Sequence, residues 1–77
     1  MMSKTMEGVV TIVQESRFQL MDDSGVGHLF ILDHHSLAEP EQLAPLQARQ
    51  ARVRVHYEEP RNVIALVAKS VTELRAA

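Results

Sequence analysis

The sequence predicts a mainly β domain, a five-stranded barrel with one short helix between the third and fourth strands. Two observations predict this class. Five stretches are rich in β-branched residues or alternate polar and apolar side chains, which is the pattern of strands. The helix-like stretch follows the third of them and contains two prolines, so its helix must be short.

The first three strands are predicted to form a meander in the N-terminal half. Residues 8–13 are mostly β-branched, which suits a pleated surface better than a helix. Residues 17–22 alternate polar and apolar side chains, and residues 28–32 are mostly apolar. The polar residues 14–16 and the Asp-Asp-Ser-Gly cluster at 22–25 supply the turns, because aspartate and serine bond the nearby backbone and glycine accepts positive φ.

Two prolines shape the region that follows strand three. Pro40 and Pro45 each suit the first turn of a helix, but neither can lie deep inside one without removing a hydrogen bond. The region is therefore predicted to form a short helix or two single turns that begin near these prolines. Leu43 and Leu46 are three residues apart and can share a helix face, so we expect them to plug one end of the barrel.

Strand four has the clearest alternation in the chain. Within residues 51–58, Val53, Val55 and Tyr57 are predicted to face the core. Residues 63–68 are apolar on both faces, which predicts a well-covered fifth strand. Residues 69–74 either extend that strand or form a terminal turn. The side chains predicted to lie on the outer face of strand four are Arg52, Arg54, His56 and Glu58.

Length and composition indicate one small domain. With 77 residues, the chain is expected to form a single unit over residues 7–74, preceded by a flexible N-terminus at residues 1–6. The absence of cysteine excludes disulfides and thiolate zinc sites, and it favours the cytoplasm. Neither a signal peptide nor a membrane-spanning stretch is expected. A net charge of −2 does not imply general attraction to nucleic acid.

Several short motifs resemble those of OB-fold domains. Gly-Val-Val at 8–10, Phe-Gln-Leu-Met-Asp-Asp at 18–23 and Phe-Ile-Leu at 30–32 resemble the opening meander of that superfamily. Pro-Leu at 45–46, followed by Arg-Val-Arg-Val at 52–55, resembles its entry from the plug helix to strand four. The resemblance implies a barrel that binds ligands on the outer face of strands two and three. The alternative is an SH3-like small barrel, which usually carries its short helix before the last strand.

The acidic and histidine-rich stretches do not predict catalysis or metal binding. The carboxylate pairs at 22–23 and 58–59 lie in predicted turns, where water screens them, and the chain has no Gly-x-Ser-x-Gly elbow. Asp33, His34 and His35 are adjacent, so in extended chain they point in different directions rather than towards one ion. We therefore expect no enzyme, no metal and no cofactor.

The hairpin between strands two and three has two possible registers. A three-residue loop at 23–25 pairs Phe18 with Phe30 and Leu20 with His28, which turns all four side chains inward. Both phenylalanines would then lie in the core, with a histidine beside them. That arrangement carries a desolvation cost for the histidine.

A four-residue loop at 23–26 gives the opposite arrangement. It pairs Leu20 with Leu29 and turns His28 outward, which costs less desolvation. A one-residue slip moves every side chain to the other face, so the two registers exclude each other. We favour the four-residue loop, which places a phenylalanine on the outer face. The candidate ligand-binding residues on that face are Phe30, Arg17 and Gln19.

Arg52 and Arg54 complete the set of candidate ligand-binding residues. Together with Arg49 and Arg61 they form a basic cluster on or beside strand four. Single-strand-binding OB domains combine a basic groove with aromatic platforms, but aromatic residues are few here. The sequence therefore favours a non-enzymatic binding module that acts through a protein partner, as an adaptor or small subunit. The alternative is weak binding of single-stranded nucleic acid on the outer face of the barrel.

Overall fold

The strands of this computed structural model, which describes residues 4–33, 40–60 and 65–74, close into one barrel. Its strand order is β1-β2-β3-β5-β4, and the described helix lies between β3 and β4. The predicted fold class is thus confirmed. The elements are β1 Lys4–Gln14, β2 Arg17–Asp22, β3 Gly27–Leu32, a 3₁₀ turn Pro40–Gln42, α1 Leu43–Ala48, β4 Arg52–Glu58 and β5 Leu66–Glu73.

A parallel pair of strands closes the barrel. The pairs β1–β2, β2–β3, β1–β4 and β4–β5 are all antiparallel. In the remaining pair, β3 runs parallel to β5, with Phe30 beside Leu66 and Leu32 beside Ala68. Parallel neighbours need a long connection. The segment that carries α1 and β4 provides it.

The first strand belongs to two ladders and bends between them. Gly8 pairs with Asp22 of β2 and also with Val53 of β4. A Cβ atom at Gly8 would lie 2.9 Å from the carbonyl carbon of Met21 and would collide with its oxygen. Further along, the register with β2 shifts at Thr11, which forms a bulge. Glycine and a bulge are the usual devices by which a strand turns a barrel corner.

The barrel interior is filled by side chains from every strand and from α1. Phe30 stacks on Phe18 at a ring-centroid distance of 5.2 Å and meets Tyr57 edge-on at 5.3 Å. Leu43 and Leu46 of α1 are buried against this cluster, which confirms that the helix plugs the barrel. The predicted core residues of β4 are confirmed as well. The other buried members of the core are Val10, Leu20, Leu32, Val53, Val55 and Ala68.

The short plug helix is anchored at its C-terminal end and on its side. The backbone N–H groups of Gln50 and Ala51 donate to the carbonyls of Gln47 and Leu46, which is the Schellman arrangement. Gln50 takes the positive φ of 50° that this ending requires. The Gln47 side chain donates to the Thr11 carbonyl at 2.8 Å. The helix therefore supplies a partner for the bulge in β1.

One predicted boundary needs correction. Lys4 to Met6 pair with β4 as the start of β1, so the prediction of a flexible N-terminus over residues 1–6 is wrong for residues 4–6. Among the described residues the fifth strand runs from Leu66 to Glu73, so of the two alternatives for residues 69–74, extension of the strand is confirmed for residues 69–73. Both stretches pair with β4, and this pairing supplies hydrogen bonds that their own sequence patterns do not reveal. Residues 1–3 and 61–64 lie outside the described part.

The preferred register of the β2–β3 hairpin is also wrong. Phe18 pairs with Phe30 and Leu20 with His28, which is the three-residue loop. Gly25 holds a φ of 87°, the left-handed conformation that such loops favour. The desolvation cost of turning His28 inward is offset in this register, because the Asp22 carboxylate lies 2.8 Å from the imidazole Nε2 of His28. Both side chains also keep some contact with water at the end of the barrel, with 24% and 28% of their surface exposed.

Candidate functional site

The outer face of β1, β2 and β3 carries a group of exposed apolar side chains. The pairings Ile12–Gln19 and Gln19–Leu29 place these three residues in one row across the strands. Ile31 lies in the next row beside Arg17, and Met21 lies in the row on the other side. We call the four apolar residues the apolar patch: Ile12 is 55% exposed, Leu29 42%, Ile31 38% and Met21 37%.

Gln19 occupies the middle of the apolar patch and is held in place. The hydroxyl of Thr11 donates to the side-chain oxygen of Gln19 at 3.2 Å. The amide group extends over Gly27, where a Cβ atom would lie 2.9 Å from the Gln19 Cδ atom. The bulge at Thr11 and the glycine in β3 therefore fix the one polar group at the centre of an apolar surface.

Arg17 borders the apolar patch and has no acidic partner among the described residues. It lines a shallow pocket of about 350 Å³ with Ile12, Gln19 and Leu29. In the described part of the chain, every other lysine and arginine forms an ion pair. These pairs are Lys4 with Glu59, Arg49 with Glu73, Arg52 with Asp23 and Glu7, Arg54 with Glu7, and Lys69 with Asp33 and Glu58.

Arg52 and Arg54 are already paired with carboxylates of this chain and are therefore not available to bind a ligand. Arg54 donates twice to the Glu7 carboxylate, at 2.9 and 2.7 Å. Arg52 donates to both carboxylate oxygens of Asp23, at 2.6 and 2.8 Å. The arginine hydrogen bonds lower the pKa values of Glu7 and Asp23, and the pKa of Arg52 is raised. The alternating arginines of β4 thus form a paired, solvated face.

Phe30 must be removed from the set of candidate contacts. Its side chain is 0% exposed and lies between Phe18 and Tyr57. These three are the aromatic residues of the chain, and all of them are buried. No aromatic side chain is therefore available on the outer face for stacking with a nucleobase. Of the candidate residues, only Arg17 and Gln19 lie at the apolar patch.

The apolar patch itself was not recognised from the sequence. Leu29 and Ile31 alternate with Phe30 and Leu32, so both faces of β3 are apolar and the pattern alone does not show which face is buried. Ile12 lies in a run of β-branched residues that reads equally well as core. The patch could have been found by choosing the three-residue loop for the hairpin, because that register turns Leu29 and Ile31 outward.

Other kinds of site have no support in the described ranges. There, no group of three or more His, Cys, Asp or Glu side chains is arranged to hold a metal ion. His34 and His35 lie outside these ranges. No helix of the described residues has the length and apolar character that crossing a membrane requires. No protein-family model, curated protein or solved structure matches this chain.

The carboxylate of Asp22 organises the hairpin that carries part of the patch. It accepts hydrogen bonds from His28, from the Ser24 hydroxyl and amide, and from the Val26 amide. These donors, with His28 contributing most, lower the pKa of Asp22 well below its ordinary value of 3.8. Its ionised form therefore stabilises the folded state above that value, and the stabilisation is lost as pH falls below it towards the lowered pKa.

We expect Asp22→Asn to lower the stability of the fold at neutral pH and to make that stability depend less on pH in the acidic range. Between about pH 5 and pH 2, the wild type should lose more stability than the variant, because the variant has no carboxylate to protonate. Thermal denaturation at a series of pH values measures both effects. The Glu15→Gln variant is the control, since the Glu15 side chain forms no hydrogen bond or ion pair with any residue that the structure describes. The prediction would be contradicted if the wild type and Asp22→Asn lost the same stability between about pH 5 and pH 2.

Proposed function

We propose that this chain is a non-enzymatic, OB-type binding module that acts through a protein partner, as an adaptor or small subunit. The partner binds the outer face of β1, β2 and β3. The observation that carries the proposal is the apolar patch. Contiguous exposed apolar side chains on a small domain commonly mark an interaction surface, because leaving them in water is unfavourable. The lack of cysteine favours a reducing compartment, the cytoplasm, for this interaction.

The build of the surface supports a binding role. A central amide, Gln19, is held by Thr11 within the rows of Ile12, Leu29 and Ile31. A fixed polar group within an apolar area is the arrangement that gives an interface both binding energy and orientation. The strands beneath it belong to the closed barrel, so little ordering cost is expected on binding.

Nucleic acid is a weaker candidate for the ligand. Single-strand binding draws on base stacking with aromatic side chains and on free cations along a groove. Here the aromatic side chains are buried, and Arg52 and Arg54 are already paired with carboxylates. Of the lysines and arginines in the described ranges, Arg17 alone has no carboxylate partner and could meet a phosphate. We therefore retain single-stranded nucleic acid only as an outcome that the experiments below can detect.

The proposal is tested by comparing three forms of the chain in affinity capture from a lysate of the source cell. The Leu29→Thr, Ile31→Thr double variant replaces two of the four apolar side chains of the patch with polar ones, and threonine is β-branched and therefore suits a strand. Val26→Thr is the matched control, because Val26 is 52% exposed beside the hairpin loop, outside the patch. We expect a protein that is retained by the wild type and the control and is lost by the double variant.

Reconstitution with the identified protein completes the test. Calorimetry with the purified partner should show binding that the double variant weakens by at least about tenfold, or 1.4 kcal/mol. A partner that the double variant binds as tightly as the wild type does would place the interface elsewhere and refute the proposal. Loss of retained material after nuclease treatment, together with a steep decrease of affinity with salt, would indicate nucleic acid instead.

A further inference from the structure

Arg17 differs from the other cations of the described chain in having no carboxylate partner. Glu15, two residues earlier, is exposed and could have supplied one, but it forms no ion pair with Arg17 in the structure. The other described lysines and arginines each have a carboxylate within ion-pair distance. The one described cation that is left over therefore lies beside the apolar patch.

The surroundings of Arg17 would strengthen an ion pair with a bound partner. Its pocket is lined by Ile12, Leu29 and the uncharged side chains of Gln14 and Gln19, and it contains no carboxylate. When a partner covers these side chains and excludes water, the local dielectric falls and a charge pair at the patch gains strength. A guanidinium donates two parallel hydrogen bonds to a carboxylate, which also fixes the direction of the bound group.

The size and charge of the patch favour a segment of another protein over a second copy of this chain. Four partly exposed side chains provide on the order of a few hundred Å² of apolar surface. A standard interface buries about 800 Å² on each partner. A second copy would also bring its own Arg17 to the same face and no patch carboxylate to meet it. Such a dimer would bury less area than a standard interface and would bring two like charges together.

We infer that the apolar patch binds a segment of a partner protein that combines apolar side chains with a carboxylate, and that the carboxylate pairs with Arg17. The apolar side chains of the segment cover Leu29 and Ile31, while the Gln19 amide hydrogen-bonds its backbone. This inference rests on the proposed function and adds to it the chemistry of the partner: an acidic, apolar segment.

The test is an NMR titration of the ¹⁵N-labelled full chain with three synthetic peptides of equal length. One alternates leucine with glutamate, one alternates leucine with lysine, and one alternates serine with glutamate. Oligo-dT is a fourth probe. We expect the leucine–glutamate peptide to bind most tightly and to shift the amide signals of Gln19 and Leu29 and the side-chain Nε signal of Arg17. We expect the serine–glutamate peptide to bind at least about tenfold more weakly, because it covers no apolar surface.

Charge reversal at Arg17 makes the test specific. In Arg17→Glu, the preference should change from the leucine–glutamate to the leucine–lysine peptide, because the sign of the patch charge is inverted. Arg49→Gln removes an exposed arginine that lies on the C-terminal side of α1, away from the patch, and should leave both affinities within about twofold of the wild-type values.

Failure of this inference and failure of the proposed function give different results. Equal or tighter binding of the leucine–lysine peptide at the patch of the wild type would overturn the carboxylate inference and leave the patch as a protein-binding surface. Shifts with any peptide confined to residues outside the patch would overturn both. Patch shifts with oligo-dT that exceed those with every peptide would also overturn both, and would assign the surface to phosphate-bearing ligands.

Discussion

Phe30→Ala should destabilise the domain by about 3–5 kcal/mol, the range for truncating a fully buried phenylalanine. The ring is 0% exposed and is packed between Phe18 and Tyr57, so the variant leaves a cavity at the centre of the barrel. Small domains have only about 5–15 kcal/mol of stability in total. The variant should therefore unfold at a much lower denaturant concentration, which chemical denaturation measures.

The adjacent residue provides the control for Phe30. Ile31 follows it in β3, is 38% exposed and faces the other side of the sheet. Ile31→Ala should cost less than about 1 kcal/mol, as substitutions at partly exposed positions usually do. If the two costs were reversed, the hairpin would have the other register, with Phe30 outside and Ile31 in the core. The pair of variants therefore tests the register and the position of the patch together.

Gly8→Ala is expected to have the second largest effect, a loss of about 3 kcal/mol. The added methyl group collides with the backbone carbonyl of Met21 in the neighbouring strand. A backbone atom in a hydrogen-bonded ladder cannot move aside cheaply, and overpacking of this kind typically costs 1–3 kcal/mol, sometimes more. The collision occurs where β1 pairs with both β2 and β4, so separating the strands would disturb both ladders. Denaturant unfolding of the purified variant measures the cost.

Alanine substitutions at the two other glycines distinguish the effect of this collision from the general effects of replacing glycine. At Gly27→Ala the nearest atoms belong to the Gln19 side chain rather than to backbone, so the clash is relieved if that side chain gives up its hydrogen bond with Thr11 and turns away. Gly25→Ala meets no atom within 4 Å but must hold a φ of 87°, which costs about 1–2 kcal/mol for a residue with a side chain. We expect Gly8→Ala to be the most destabilising of the three. A smaller loss for Gly8→Ala than for Gly25→Ala would contradict the close approach of the Met21 backbone to Gly8.

Much of the fold could be predicted from the sequence, because it depends on local patterns. The alternation in β4 predicts that Val53, Val55 and Tyr57 are buried, and they are. Pro40 and Pro45 limit the helical region to a 3₁₀ turn followed by a short helix. Side-chain periodicity and proline stereochemistry act within a few residues, so one sequence suffices to read them. The number and order of the elements follow from the same local signals.

The candidate site depends on contacts between residues that are distant along the chain. Arg52 is neutralised by Asp23 and Arg54 by Glu7, and no local pattern joins those residues. That Arg17 has no carboxylate partner in the described part of the chain becomes visible only when the ion pairs of the other described cations are known. Ion pairs form between side chains that the strand ladders bring together, so the sequence identifies the charged residues but not which of them remain available.

The sequence by itself determined where the strands and the plug helix lie, whereas only the tertiary structure decided which face of β3 is buried. The reason is that both faces of β3 are apolar, so the period-two pattern permits either register. Desolvation of His28 counts against the observed register, and contact with the Asp22 carboxylate, which forms only in the folded hairpin, offsets that cost. That single pairing turns Phe30 into the core and Leu29 and Ile31 outward, and so creates the apolar patch.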